Sequence, residues 1–381
     1  MTDPLLERFF RYLAFDCQTK LRGHKLQACP GQRALAEQLR AELAELGLKE
    51  ITLAKDGSLT ALLPASTANK PTIGFLLDLA TPAELACKDV APEILPSYRG
   101  GDISLGESNV CISPVQFPFM HQLHEQTLII GDGKHGLGAQ SKGAIALVMT
   151  LLEQLQGQTR ANNLRVAFVP DNAVALDARF FDDFHCDVMF SLQAEGVGRL
   201  EVENLYSADL AIVLADDGEG NVLEYGCALQ HHFSRHISHG LQLLELQGNE
   251  QQVKMHYRVS ALARAGFDEC LSAVERALEN AQRTGVAARF QLGDVVENMA
   301  ANVAQSPLAL KVAQRAARQC GLDLATGCAL TTPMGAHLAR FGIACPSLSI
   351  GGFNFATRKA LLSLQGMQLS GEIMAQMVID G

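Results

Sequence analysis

Leu35, Leu39, Leu43 and Leu46 recur at helical spacing in GQRALAEQLRAELAELG (31–47), and Gly47 is placed to end that helix. The next apolar run, PTIGFLLDLA (71–80), shows no alternation. That is the pattern of a strand covered on both faces, and LRVAFVP (164–170) and CDVMFSLQ (186–193) repeat it. KGAIALVMTLLEQLQ (142–156) reads as a buried helix after the Gly-rich loop GDGKHGLGAQS. Strands alternating with helices predict an α/β domain whose mostly parallel sheet is flanked by helices.

The middle of the chain changes style. RLEVENLYSADLAIVLAD (199–216) reads as strand, turn, strand. In QQVKMHYRVS (251–260), Val253, Met255, Tyr257 and Val259 alternate strictly, as in an antiparallel strand with one wet face. FDECLSAVERALENAQRTG (267–285) is a helix with Phe267, Leu271, Val274 and Leu278 on one side and Gly285 at its end. Two strand regions and one helix predict a small α+β domain. SPLALKVAQRAARQCG (306–321) then opens a helix with Ser306 as cap and Pro307 in the first turn, and ACPSLSIGGFNF (344–355) is a strand entering a Gly-rich turn. The predicted architecture is an α/β domain, 1–205 and 299–381, interrupted by an inserted α+β domain, 206–298.

Composition adds bounds. With 381 residues, 48% hydrophobic and 19% charged, the chain has room for two domains and a sizeable core. A net charge of −10 argues against a nucleic-acid partner, which would need clustered Lys and Arg. The ten cysteines are scattered without CxxC spacing, the pattern of free thiols in a reducing cytosol. The N-terminal stretch lacks a basic region followed by an apolar run, and no apolar stretch approaches the ~20 residues of a membrane span. A cytoplasmic protein with no membrane partner is expected.

Nine stretches, in order, carry a resemblance: LLERFFRYLAFDCQTK, LAELGLKEITLAKDGSLTALLPA, SYRGGDISLG, ISPVQFPFMHQL, DGKHGLGAQSKGAIALVMTLL, VAFVPD, GVGRLEVEN, KMHYRV and GIACPSLSIGGFN. They resemble the peptidase T family, the cytoplasmic tripeptide aminopeptidases among the M20 metallopeptidases. The resemblance implies a zinc-peptidase-like catalytic domain with an inserted lid, here shortened. It also implies two zinc ions sharing a carboxylate, and a glutamate acting as general base on the bridging water.

Carried over position by position, the resemblance meets different residues. The family's ligand-and-orienter pair, His-x-Asp, falls on Asp78, Leu79 and Ala80. Its bridging aspartate falls on Gln140, its general base on Asn172 and the ligand beside it on Ala173. The aspartate for the other metal falls on Gln193, and the distal ligand histidine on Ala356. The substrate loop reads Leu330 to Gly335 without its arginine and aspartate, the lid arginine falls on Ser260, and the lid histidine has no counterpart near 216–222. Asn354 matches the family and is the candidate to hydrogen-bond a peptide backbone. A neutral amide is a poor zinc ligand and cannot bridge two zincs, and Asn172 cannot accept a proton at neutral pH.

The resulting expectation is a peptidase T-like pseudoenzyme with no cofactor. It would bind a small peptide, or act as the partner of an active homologue or of a second copy of itself. The alternative is a metal-dependent tripeptide aminopeptidase or other hydrolase with a re-tooled site. Two residue sets could serve it. His232 and His236 stand at i, i+4 in HHFSRHISH, flanked by His231 and His239. Asp78, Asp171 and Glu195 could form an oxygen-rich site, although Asp78 is expected to hydrogen-bond within the old cleft and Asp171 to hold its loop. Cys17, Ser141 and Cys345 lie in or near family loops, but none stands in GxSxG or has a histidine placed beside it. GDGKHGLG lacks the GK[ST] ending of a P-loop.

Overall fold

The computed structural model describes residues 3–19, 29–68, 70–83, 85–170, 180–181, 184–216, 221–237, 240–283 and 285–380. The chain forms two compact units. One comprises Met1–Val202, Ala301–Gly327 and Pro333–Gly381; the other comprises Glu203–Ala300 and the short excursion Cys328–Thr332.

The first unit is built on an eight-stranded sheet. Its strand order is Lys49–Leu53, Leu59–Leu63, Asn163–Val169, Thr72–Asp78, Val188–Ala194, Ser347–Ser349, Arg199–Asn204, Ala325–Ala329. The four central strands, from Asn163–Val169 to Ser347–Ser349, run parallel. Antiparallel pairs lie outside them, between Leu59–Leu63 and Asn163–Val169 and between Arg199–Asn204 and Ser347–Ser349. The unalternating apolar runs are explained by burial from both sides: Ile73, Phe75, Leu76 and Leu77 are all buried in one strand.

Helix Ala139–Gln154 is buried along almost its whole length, which is why its sequence carries no polar stripe. It begins three residues earlier than the apolar run predicts, because Gly138 at φ 65° turns the Gly-rich loop directly into it. Helix Pro30–Glu45 buries Leu35, Leu39 and Leu43 on the predicted stripe. It is tied to helix Pro4–Leu13 through Glu42, whose carboxylate accepts hydrogen bonds from Tyr12 Oη (2.7 Å), Gln38 Nε2 (2.9 Å) and Arg11 Nη1 (3.5 Å). Lys142 is fully buried, and its Nζ donates to the carbonyls of Phe15 (2.5 Å) and Leu13 (3.4 Å). Burial pulls its pKa down, against the opposing pull of Cys17, Cys87, Asp16 and Cys29.

A second, four-stranded sheet, in the order Gly352–Phe353, Leu361–Ser363, Leu128–Ile130, Glu93–Leu95, belongs to the same unit. Strands of two or three residues are too short to carry a period, so this sheet left no signal in the sequence. Helix Pro307–Gln319 starts at the predicted proline; Ser306 holds the cap position, but its hydroxyl makes no capping hydrogen bond.

The second unit is an antiparallel sheet in the order Leu241–Gly248, Gln252–Ala261, Tyr206–Asp216, Val286–Leu292, with helices Val222–His236 and Arg264–Arg283. The alternating strand Gln252–Ala261 lies inside it and buries Val253, Met255, Tyr257 and Val259. The unit holds more than the predicted two strand regions and one helix. Its two edge strands are half-wet, and charged or amide residues such as Glu245 and Gln247 mask their period. Among the described residues no helix is long and apolar enough to cross a membrane.

Candidate active site

The C-terminal ends of the central parallel strands form one edge of the large sheet, the place where open α/β sheets bind ligands. Asp78 ends Thr72–Asp78, and Gln193 is the penultimate residue of the adjacent Val188–Ala194. The register Leu76↔Ser191, continued two residues, puts Asp78 level with Gln193. The side chain of Asp78 makes a local hydrogen bond: Oδ1 accepts from the Ala80 N–H at 2.8 Å. Gln193 is 9% exposed, and its Oε1 accepts from the Met334 N–H at 2.7 Å. The amide therefore satisfies the first N–H of helix Met334–Ala339, one of the donors that a helix start leaves open.

Gln140 lies half-buried in the first turn of Ala139–Gln154, and Ala356 is exposed in the turn after Gly352–Phe353. Asn354 sits at φ 55°, the left-handed region that asparagine tolerates. Its Nδ2 donates to the Lys359 carbonyl at 3.4 Å, and its own carbonyl accepts from Thr357 N and Oγ1, so it shapes this turn. Glu195 reaches the same turn: Oε1 accepts from the Phe355 N–H at 2.8 Å. Asn172, Ala173 and Asp171 lie outside the described residues.

The rival sets fare differently. His232 and His236 share the exposed flank of Val222–His236, with ring centroids 4.5 Å apart; His239 lies outside the described residues. Among the described residues no three His, Cys, Asp or Glu side chains converge as a metal would require. As nucleophiles, the buried thiols are disfavoured. Burial pushes Cys17 up to about 12 and raises Cys345 as well, keeping both protonated. Ser141 is buried, and its Oγ has no hydrogen-bond partner among the described residues.

Three polar groups of this unit left no periodic signal. Asp132 Oδ2 meets His135 Nδ1 at 2.8 Å, while Oδ1 accepts from the N–H groups of Lys134 and His135. Desolvation acts to raise the Asp132 pKa, but these donors outweigh it and the net shift is downward. The signal that the sequence carries for this pair is the D-x-x-H spacing within GDGKHGLG. Glu201 is buried in Arg199–Asn204. Burial pushes its carboxyl up to about 7, opposed by Arg199 and assisted by Glu195. His337, in Met334–Ala339, is held down at about 4 by burial and then by Arg340.

No family model matches the chain. Peptidase T of Pectobacterium atrosepticum is 33% identical over 393 residues, covering 96% of this chain and 95% of that protein. Peptidase T of Pasteurella multocida is 32% identical, covering 99% and 97%. The aminopeptidase PepT of Bacillus cereus superposes with a TM-score of 0.73 at 15% identity, covering 98% of this chain and 97% of its own. A tripeptidase of Staphylococcus aureus gives 0.75 at 13% identity with the same coverage. A dinuclear metal binding peptidase of the M20 family from Bacillus subtilis gives 0.60 at 14% identity, covering 98% and 96%.

These likenesses correct one expectation. A chain with no cofactor does not follow from near-full-length similarity to peptidases whose wider family includes a dinuclear metal binding enzyme. The side chains described at the carried-over positions nonetheless do not fit the family's two-metal donor set. Asp78 is the one carboxylate among them, Gln193 already binds Met334, and Ala356 has no donor atom.

Proposed function

Because the chain belongs to the peptidase T family of M20 metallopeptidases, we propose that it acts on short peptides as a metal-dependent aminopeptidase or related hydrolase whose site is re-tooled. Similarity to peptidase T over 96% of the chain supports the activity class. The observation that carries the re-tooling is the Gln193–Met334 hydrogen bond, which occupies a position the family gives to a metal-binding carboxylate. In this reading a short peptide lies along the strand ends, and Asn354 offers its amide to the peptide backbone from a turn fixed by Thr357 and Lys359.

A second reading, peptide binding without turnover, is favoured by Asn172, an amide where the resemblance puts the general base. One experiment separates the two. Tri-alanine is incubated with the protein in zinc, manganese or cobalt, release of the N-terminal alanine is followed by chromatography, and bound metal is counted by mass spectrometry. Metal-supported, chelator-sensitive release is the expected outcome of the first reading. Saturable tri-alanine binding without release selects the second, and absence of both sinks the peptide reading as a whole.

A further inference from the structure

Glu195 occupies an unusual place among the acids of this unit. It follows directly on strand Val188–Ala194, two residues beyond Gln193, and it is exposed. Its backbone is fixed on the far side by a pair of hydrogen bonds that zip the following turn to the Gly351–Gly352 turn. The Gly196 N–H donates to the Gly352 carbonyl at 2.7 Å, and the Gly351 N–H donates to the Gly196 carbonyl at 3.0 Å. Its side chain is fixed as well, since Oε1 accepts the Phe355 N–H at 2.8 Å. The carboxylate is thereby held beside Asn354 and Ala356, in the turn that the resemblance assigns to the peptide and the distal ligand.

Among the described residues no cation is paired with this carboxylate. Every ion pair formed among the described residues leaves Glu195 out: Arg199, the basic residue nearest in sequence, turns instead to Glu201 at 3.9 Å. Oε2 has no hydrogen-bond partner among the described residues. A rigid, exposed, unpaired carboxylate at the ligand-binding edge of an α/β sheet is an ammonium receptor in waiting, because its orientation is set before the ligand arrives. A short peptide supplies the matching group in its free α-ammonium, a recurring means of capturing a chain terminus.

We propose that Glu195 binds the α-ammonium of a short peptide at the strand-end site and so selects for a free N-terminus. This rests on the peptide reading above and deepens it, by naming the residue that recognises the free N-terminus on which an aminopeptidase acts. Glu195 acts here as a binding residue.

The test is calorimetric titration of the full chain with tri-alanine and with N-acetyl-tri-alanine, for the wild type and for Glu195→Gln. The amide keeps an oxygen for the Phe355 N–H, so the turn is retained while the charge goes. The expected result is that the wild type prefers the free peptide by on the order of tenfold or more. Glu195→Gln should lose that preference while binding the acetylated peptide as the wild type does. Equal binding of the two peptides by the wild type, or an undiminished preference in Glu195→Gln, overturns the assignment and leaves the peptide reading standing. If neither peptide binds, both fall together.

Discussion

Gln193 and Met334, 141 residues apart in sequence, are joined by a 2.7 Å hydrogen bond from the Met334 backbone N–H to the Gln193 side-chain oxygen. Both residues are buried, so the bond fastens the start of helix Met334–Ala339 to the end of a central strand out of reach of water. Gln193→Ala leaves the Met334 N–H buried and unsatisfied. It should lower unfolding stability by about 1–3 kcal/mol, read from the urea midpoint at unchanged slope. Gln193→Glu, which keeps an acceptor at the same reach, should retain the helix start. A Gln193→Ala variant as stable as the wild type would show that the bond contributes nothing.

Glu201 makes stability fall as pH rises. Its carboxyl titrates at about 7 in the fold, against 4.5 ordinarily, because burial disfavours the charged form. Between those values the unfolded chain gives up this proton while the folded chain keeps it. The penalty therefore grows from pH 4.5 to about 7 and is constant above. Urea midpoints taken across that window should show a downward component in the wild type that is missing in Glu201→Gln. Parallel pH profiles for the two proteins would refute it.

The opposite slope comes from His337. Burial and Arg340 hold its pKa at about 4, against 6.5 in the unfolded chain. The neutral ring contributes fully above pH 6.5, and that contribution is lost as pH falls toward 4, because the unfolded chain takes up a proton that the fold refuses. In His337→Gln the acid side of the stability profile should flatten over this range. An unchanged acid limb would mean that the ring protonates freely within the fold.

Asp132 gathers two backbone N–H groups and the His135 ring onto one carboxylate. Asp132→Ala should cost about 1–3 kcal/mol of stability, at the low end since His135 is partly exposed. The carboxylate's depressed pKa makes its contribution present above the ordinary Asp range and lost as pH falls through the folded value. Amide hydrogen exchange at Lys134 and His135 should accelerate in the variant, and protection equal to that of the wild type would contradict the role.

The large sheet was legible because its central strands are covered on both faces, leaving uninterrupted apolar runs at 72–78, 163–169 and 188–194. Gln252–Ala261 was legible for the converse reason: one wet face imposes alternation. The edge strands Leu241–Gly248 and Val286–Leu292 carry neither pattern, since solvent reaches much of both. At the site, the positions of Asp78, Gln140, Gln193, Asn354 and Ala356 came from the resemblance. What their side chains do came from contacts that spacing does not encode. Gln193 finds its partner in a distant helix start, and Glu195 finds Phe355 160 residues away. Glu201 stands with Arg199 and Glu203 at the charged positions of RLEVEN, yet packing has closed over it, which the type of residue does not announce.

Lys142 bears on how this chain is made. Its buried ammonium rests on the carbonyls of Leu13 and Phe15, which precede it in the chain by 129 and 127 residues. Synthesis from the N-terminus delivers both acceptors well before the lysine, so the charge can enter the interior with its partners already at hand. Trimming the chain past Phe15 would reverse that order of supply, leaving an ammonium that must either stay in water and hold helix Ala139–Gln154 off the sheet, or shed its proton in order to pack.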